Sequence, residues 1–209
     1  MSSRFRGLKG RLPIILRSMF AREKSCIFEK KLDGPPFKIE AKVKVDVKLV
    51  QSDDISKLPK RSENFGSEVK KRFGMGHICF GAHLNGKIVH YKWVAFSKSI
   101  PPYSDLERRM RISSDSAYIY DGYTVPEYRG LGISAKVMEK TLQYLQEIGI
   151  KKVYSYVRYD NFPMLRVKQK EKFRKIGTIT YTQIFRLRLH RCEGETEEDY
   201  KKLREMFAL

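Results

Sequence analysis

The sequence has few of the features that mark secreted, membrane-spanning or metal-binding proteins. Its three cysteines, Cys26, Cys79 and Cys192, lie far apart and form no CxxC pair. Reduced thiols in a cytoplasmic protein fit that pattern better than a disulfide framework. No apolar run approaches the roughly 18 residues that a transmembrane helix needs. The four histidines show no metal-ligand spacing with cysteines or carboxylates. We therefore expect a cytoplasmic protein without a bound metal.

Positive charge is what the chain has in excess. Its 209 residues include 43 lysines and arginines against 24 aspartates and glutamates, which gives a net charge of +19. A field of this sign attracts polyanions, such as a phosphorylated ligand, an acyl carrier protein, RNA or an anionic membrane surface. A general basic background that only aids solubility would produce the same charge, and the sequence leaves both interpretations open.

The hydrophobic pattern predicts an α/β fold. Lys42 to Val50 alternates apolar and charged residues, as a half-buried strand does. Two β-rich runs flank Asn85-Gly86, the residue pair that favours a two-residue hairpin turn. Gly132 to Ile148 carries the broadest helical stripe of the chain. The predicted order β-β-α-α-β-β-β-α-β-α-β-β favours one sheet covered by helices.

The two ends of the chain are predicted separately. A short basic helix from about Leu12 to Lys24 could lie on an anionic membrane or pack on its own domain, and Cys26 to Leu32 is predicted as a strand. Near the other end, Phe173–Thr180 and Gln183–Leu189 are predicted as closing strands, followed by an acidic stretch and a helix from Tyr200 to Phe207. We divide the chain into an N-terminal extension (1–40), a central domain (41–192) and a C-terminal acidic loop and helix (193–209).

A glycine-rich loop precedes the long predicted helix. The loop reads Arg129-Gly130-Leu131-Gly132-Ile133-Ser134, and unpaired N–H groups at a helix N-terminus suit phosphate. A P-loop would require Gly-Lys-Ser/Thr, which is missing. A dinucleotide-binding turn would place its first glycine directly at the strand end, whereas residues 126–129 intervene here. A different phosphate-binding loop is therefore favoured.

Residues Val125 to Ser134 resemble the acyl-CoA loop of the GNAT superfamily of N-acetyltransferases, whose pattern is Arg/Gln-x-x-Gly-x-Gly/Ala. Arg129 and Gly132 match it, and Ser134 replaces the last small residue. A second stretch, from Asn161 to Gly177, is similar to the family's next conserved segment. It departs at Lys168, where the family often has its general-acid tyrosine, and at Lys172, where a glycine is usual. The resemblance covers about Val43 to Leu189.

The resemblance implies a mixed, mostly antiparallel central sheet flanked by helices, with one splayed pair of parallel strands. That pair would be Ala117–Val125 and Val153–Val157. It also implies acetyl-CoA, or another acyl-CoA, as cosubstrate, and transfer to an amine of a small molecule or protein by direct attack on the thioester. The implied cosubstrate-binding residues are those of the strand end, the glycine loop and the next helix: Tyr123, Thr124, Val125, Arg129, Gly130, Leu131, Gly132, Ile133, Ser134 and Asn161.

Catalytic roles are assigned from the same resemblance. Asp121 is the best candidate for the base that deprotonates the amine, and its alternative is a structural carboxylate paired with a lysine or arginine. The backbone N–H of Val125 is the expected oxyanion donor. The general acid that protonates the leaving CoA thiolate is left open. It could be Lys168, which could equally be a solvated helix residue, or the thiolate could leave without an acid from the protein. Nearby tyrosines are the other candidates: Tyr118, Tyr120, Tyr123, Tyr156 and Tyr159. A CoA-binding, nucleic-acid-binding or anionic-surface-binding protein with this fold and little turnover is the alternative function.

Overall fold

The computed structural model describes residues 20–35, 38–96, 110–185 and 187–209. Within these ranges the chain builds one eight-stranded sheet in the order β2-β3-β4-β5-β6-β1-β7-β8. The strands are β1 (Phe20–Lys31), β2 (Asp46–Leu49), β3 (Ile78–Leu84), β4 (Lys87–Phe96), β5 (Ser116–Thr124), β6 (Lys152–Arg158), β7 (Arg174–Ile184) and β8 (Leu187–Gly194). All neighbouring pairs are antiparallel except β5 and β6. The predicted mixed, mostly antiparallel sheet with one parallel pair is confirmed.

Helices cover both faces of the sheet. They are α1 (Phe65–Gly74), α2 (Ile133–Glu147), α3 (Phe162–Lys170) and α4 (Glu197–Phe207), with short 3-10 turns at Ser52–Lys57 and Pro126–Tyr128. The apolar residues of α2 and α3 share one core cluster, and those of α1 and α4 lie in two other clusters. We call the two sides of the sheet the α2 face and the α1 face. No helix in the described part of the chain is long and apolar enough to cross a membrane.

Strand β1 lies inside the sheet. It pairs antiparallel with β6 on one edge and with β7 on the other. Cys26 and Phe28 face the α2 cluster, and Ile27 faces the opposite core at 1% exposure. The strand that we predicted within an N-terminal extension is thus an interior strand, and the boundaries of the proposed domains stay a prediction.

Several element boundaries differ from the prediction. The basic helix expected over Leu12 to Lys24 lies largely outside the described residues. Phe20–Lys24 forms part of β1, so the prediction of a helix is wrong for these residues. Of the strand expected from Lys42 to Val50, only Asp46–Leu49 pairs with β3. The closing strands turn near Phe185, not at residues 181–182, because Tyr181 and Thr182 stay paired across β1 and β8. Helix α4 starts earlier, at Glu197, because the Thr196 side chain caps it.

Candidate functional site

The parallel strands β5 and β6 separate soon after they begin. Three residue pairs join them, Ser116–Lys152, Ala117–Val153 and Tyr118–Tyr154. Beyond these pairs a cavity of about 260 Å³ opens between the strands, and side chains from both faces of the sheet line it. From Ile119 onward the β6-side edge of β5 is therefore open, as the resemblance predicted for the splayed strands.

A bulge in β5 lies beside this cavity. On the β4 side, Tyr91 pairs with Tyr123 and Trp93 pairs with Tyr120. Lys92 alone therefore lies opposite two residues, Asp121 and Gly122. Asp121 takes up the irregularity with a φ of 45°, a conformation that aspartate tolerates better than most residues. Bulges re-aim side chains and disrupt the ladder locally, which places the polar groups of this stretch next to the opening.

The glycine loop leads directly into α2. Gly130 and Gly132 have φ values of 76° and 77°, which only glycine adopts at little cost. A Cβ on Gly132 would also lie 3.3 Å from the Cα of Ala41. No side chain caps the N-terminus of α2, and its first turn holds no acidic residue. Its unpaired N–H groups and partial positive charge can therefore accept an anionic group such as a diphosphate.

The predicted loop residues divide into those that offer side chains and those that offer only backbone. Arg129 is exposed, and its Nε donates to the carbonyl of Thr124 at 3.2 Å. The side chain of Ile133 is buried in the core, so only its amide can contribute to binding. Leu131 packs on the same core, and its carbonyl accepts from the N–H of Lys42 at 2.9 Å. Ser134, in the first turn of α2, lines the cavity.

Asn161 sits at the start of α3 and also lines the cavity. Its Oδ1 accepts a hydrogen bond from the N–H of Met164 at 3.3 Å, so the residue is the N-cap of the helix. The structure therefore brings together the two helix starts and the open edge of β5 around one cavity.

Asp121 is paired with two arginines on the α1 face. Its carboxylate accepts from Arg61 at 2.7 Å and from Arg72, which lies closer still. The Arg72 guanidinium lies 5.2 Å from the Trp93 ring and 5.3 Å from the Tyr120 ring. Of the two roles left open for Asp121, the observed contacts are those of a carboxylate paired with basic residues. Its role as the base stays a prediction.

Aromatic side chains form the wall of the cavity on the α1 face. Tyr118 stacks between Tyr120 and Tyr156, with ring centroids 5.6 and 6.5 Å apart. The hydroxyl of Tyr120 lies 2.5 Å from Nδ1 of His77. Burial raises the pKa of Tyr156 to about 12 and that of Tyr120 further. These phenols stay protonated at neutral pH.

The α2 face of the cavity holds buried basic side chains. Lys92 and Lys168 are 6% and 4% exposed, and Lys168 Nζ lies 3.3 Å from the carboxylate of Glu171. Burial lowers the pKa of both lysines, that of Lys92 to about 8. Burial also lowers the pKa of His90 to about 2, so its ring is neutral, and its Nδ1 bonds the Thr124 hydroxyl at 2.7 Å. The interpretation of Lys168 as a solvated helix residue is wrong.

The backbone N–H of Val125 is already engaged. It donates to the carbonyl of Val89 at 3.0 Å, which continues the pairing between β4 and β5. In this structure that N–H does not point into the opening, so the expected oxyanion donor has another partner. The cause is the bulge at Asp121 and Gly122, after which β5 returns to regular pairing with β4.

Sequence reasoning missed Arg61, Arg72 and Lys92. Arg72 follows the apolar stripe Phe65–Val69–Phe73 of α1, which orients it towards the sheet. Lys92 sits within the apolar run of β4, where a lone lysine was a signal of a buried functional group. Arg61 carried no such signal. Among the described residues, no group of three histidine, cysteine, aspartate or glutamate side chains could hold a metal ion.

Solved structures with similar folds include acetyltransferases of the GNAT family. A GNAT-family protein from Novosphingobium aromaticivorans is 16% identical over 78% of this chain, with a TM-score of 0.52. A GCN5-related N-acetyltransferase from Sphaerobacter thermophilus is 12% identical over 89%, with a TM-score of 0.56. This chain spans 64% and 58% of the lengths of those two chains. At such identities the likeness concerns the fold alone.

A third similar structure contains a bisubstrate analogue. AAC(6')-Iy, in complex with the bisubstrate analogue CoA-S-monomethyl-acetylneamine, is 12% identical over 63% of this chain and 92% of its own, with a TM-score of 0.50. No curated protein sequence matches this chain closely enough to inform its activity.

The family model described as "Acetyltransferase (GNAT) family" matches residues 58–172, which are more than half of the chain and include the bulge, the glycine loop and both helix starts at the cavity. This chain belongs to the GNAT acetyltransferase family.

Proposed function

We propose that this protein transfers an acyl group, acetyl in the simplest case, from acyl-CoA to an amine. The observation that carries the proposal is the continuity of two features. The uncapped N-terminus of α2 opens onto the cavity between β5 and β6, and Ser134 belongs to both. A ligand with a diphosphate at one end of a long polar arm fits that arrangement.

The residues that would hold such a ligand follow from their positions. The amides of Gly130 to Ser134 are the proposed donors to the diphosphate, and no acidic side chain in the first turn of α2 competes with it. The open edge of β5 near Tyr123 to Val125 can pair with the amides of the pantetheine arm as an added strand would. Asn161 lies across the cavity from that edge and can contact the arm. The similar fold of AAC(6')-Iy, solved with a CoA-containing bisubstrate analogue, supports a cosubstrate of this kind.

The chemistry requires an amine that has lost a proton and a donor for the developing oxyanion. The bound cosubstrate supplies the activated acyl carbon. Because the N–H of Val125 is engaged, we propose that a backbone amide of the bulge, at Asp121 or Gly122, is the oxyanion donor. The α1 face, with Asp121, Arg61 and the tyrosines, is the proposed side of amine entry. Asp121 remains the proposed acceptor of the amine proton, directly or through water.

Thermal unfolding and thiol release test this function together. We expect CoA to raise the melting temperature of the protein, because it binds only the folded state. We expect Gly132→Val to abolish that rise, since a side chain there meets Ala41 and strains a φ of 77°. The matched control is Gly76→Val, which imposes the same strain at φ 76° after α1 and should keep the response to CoA.

The same protein should release free thiol from acetyl-CoA when primary amines are added, from small alkylamines to lysine-containing peptides. A melting temperature that rises with CoA, without thiol release for any amine, would support the alternative of a CoA-binding protein without turnover. Retained CoA affinity in Gly132→Val would refute the assignment of the loop.

We also propose that the protein has an acidic partner. A net charge of +19 suits an acceptor or carrier that is itself acidic, such as an acyl carrier protein, RNA or a membrane surface. If the protein binds one of these partners, and the affinity falls steeply as the salt concentration rises, the result would support a polyanionic partner.

A further inference from the structure

Lys92 occupies an unusual position in the sheet. It lies opposite the bulge, where one residue of β4 faces Asp121 and Gly122 of β5. Gly122 makes room for it: a Cβ there would lie 3.2 Å from Cε of Lys92. The side chain thus crosses the bulged strand on the α2 face, and it lines the cavity together with Ser134 and Lys168. A lysine 6% exposed in the middle of a sheet requires an explanation.

The charges around Lys92 do not balance. Lys168 is paired with Glu171 at 3.3 Å, and its Nζ also lies 4.2 Å from the centre of the Phe173 ring. The second carboxylate oxygen of Glu171, Oε1, is buried and has no hydrogen-bond partner. In the described part of the chain, no carboxylate lies within salt-bridge distance of Lys92. Two buried ammonium groups therefore share one carboxylate, which leaves the cavity prepared for an additional negative charge.

Such a charge appears when a thioester is cleaved, because its sulfur leaves as a thiolate. We propose that Lys92 donates the proton to the departing CoA sulfur, in place of the tyrosine that the family pattern has at the position of Lys168. This inference rests on the proposed function. Lys168, held by Glu171, is a positioning residue that keeps the surroundings of Lys92 positive.

The proton and electron balance is simple. The amine nitrogen forms a bond to the acyl carbon, the carbon–sulfur bond breaks, and its electron pair stays on sulfur. Lys92 Nζ gives that sulfur one proton, which yields the free thiol and a neutral lysine. Solvent then returns a proton to Lys92, and the proton lost by the amine leaves through the base. No oxidant, reductant or further reactant is needed.

The other titratable groups near Lys92 are less suited to this role. His90 is held neutral by burial and bonds Thr124, so it has no imidazolium proton to give. Tyr120 belongs to the α1 face, bonded to His77. Lys168 is engaged with Glu171, which acts to raise the pKa of both lysines against the larger effect of burial. A pKa of about 8 for Lys92 is close to the roughly 8.5 of an ordinary thiol, so proton transfer to sulfur is nearly balanced in energy.

The first test measures the thiol of bound CoA, not the activity. The ultraviolet absorbance of the thiolate is followed against pH for CoA alone, for CoA with the wild-type protein and for CoA with Lys92→Met. We expect the wild-type protein to lower the pKa of the bound thiol, and Lys92→Met to raise it again by about one unit, a shift small enough to keep proton transfer between Lys92 and sulfur nearly balanced. Lys87→Met, on the same strand but exposed, is the matched control and should behave as the wild type. A wild-type complex whose bound thiol titrates like free CoA would overturn the proposal.

The second test follows turnover. We expect Lys92→Met to retain CoA binding, measured by the rise in melting temperature, and to lose about 100-fold in kcat together with the alkaline limb of its pH profile near pH 8. Lys92→Arg, which keeps the charge but does not release its proton, should keep the low thiol pKa and lose turnover. Unchanged kcat in both variants, or an acetyl group found on Lys92 by intact mass after incubation with acetyl-CoA, would overturn the proton-donor role.

The two proposals can fail separately. If the wild-type protein binds no CoA, the proposed function and this inference are both refuted. If the wild-type protein binds CoA and transfers acetyl groups, and Lys92→Met transfers them equally well, only this inference is refuted.

Discussion

At Asp121, a strained backbone and two guanidinium partners coincide. The residue has a φ of 45°, and its carboxylate holds Arg61 of the loop before α1 and Arg72 of α1 itself. Charge-assisted hydrogen bonds of this kind are stronger than neutral ones. The carboxylate therefore ties α1 to the bulge, whatever it does with a substrate proton.

We expect Asp121→Asn to cost about 1–3 kcal/mol of stability, because two partly buried guanidinium groups lose their counter-ion. Chemical denaturation measures this loss. Asp46→Asn is the control, because the Asp46–Lys48 pair is mostly exposed and should contribute almost nothing.

Turnover of the same variant separates the two roles of Asp121. Stability that stays at the wild-type value while kcat falls steeply would contradict the ion-pair role and identify the carboxylate as the base. Because Asp121 is also the proposed acceptor of the amine proton, the expected result is a loss of stability together with a steep fall in kcat. A loss of stability with unchanged kcat would contradict the role of Asp121 as the base.

The residues of the site differ in how visible they are in the sequence. Gly130 and Gly132 are recognisable because the backbone conformation they permit and the helix they introduce are local to one short segment. Lys92, Arg61 and Arg72 reach the site through strand pairing and helix packing with residues 29 to 60 positions away. No local sequence pattern encodes contacts over such separations. These three residues were therefore not predicted from the sequence, whereas the glycine loop was.

Among the elements, helices and the hairpin were easier to predict than strand partners. The apolar period of α2 and the Asn85-Gly86 turn are local signals, and both features are observed. Phe20–Lys24 shows the opposite case. The predicted helix rested on an apolar stripe of which only Phe20 lies in this segment, and pairing with β7, where Lys24 lies opposite Thr180, decides the conformation observed. Tertiary context overrides propensity in such a segment.

The interior position of β1 can be tested by truncating one side chain. Ile27 is 1% exposed and packs in the core beneath α4, so we expect Ile27→Ala to cost about 2–4 kcal/mol. Leu187→Ala on β8 is the control, because Leu187 is 58% exposed and should tolerate truncation with little loss. Equal unfolding free energies for the two variants, measured in denaturant, would contradict the placement of β1.

At the scale of the whole molecule, one ionic cluster joins the beginning of the described chain to its end. Glu29 of β1, 3% exposed, is paired with Lys202 of α4 and with Arg174 of β7. Arg174 also forms two hydrogen bonds to Asp199, at 2.7 and 2.8 Å. Burial acts to raise the pKa of Glu29, but bonds from Lys202, Tyr154 and Arg174 outweigh it, so the pKa lies below its ordinary value. The Arg174 bonds likewise lower the pKa of Asp199.

These lowered pKa values predict acid sensitivity. A carboxyl group with a lower pKa in the folded state stabilises the protein above its unfolded pKa, near 4.5 for Glu29 and 3.8 for Asp199, and loses that contribution as the pH falls through the folded value. We expect denaturant midpoints to hold steady down to about pH 5 and to fall steadily below it.

Two variants test the origin of that fall. Lys202→Met should lower the midpoint near neutral pH and flatten the acid decline, whereas Lys201→Met, exposed and adjacent, should change neither. A wild-type midpoint at about pH 3 that equals the neutral value would contradict the cluster's contribution.

Strand β1 also sets the order in which the protein can assemble. Both of its pairing partners, β6 and β7, follow it by more than a hundred residues. A nascent chain leaving the ribosome therefore carries β1 with two bare edges until most of the sequence has been translated. Closure of the sheet waits for the synthesis of β7, and high contact order makes that step slow. During that interval the two bare edges of β1 are open to pairing with other chains.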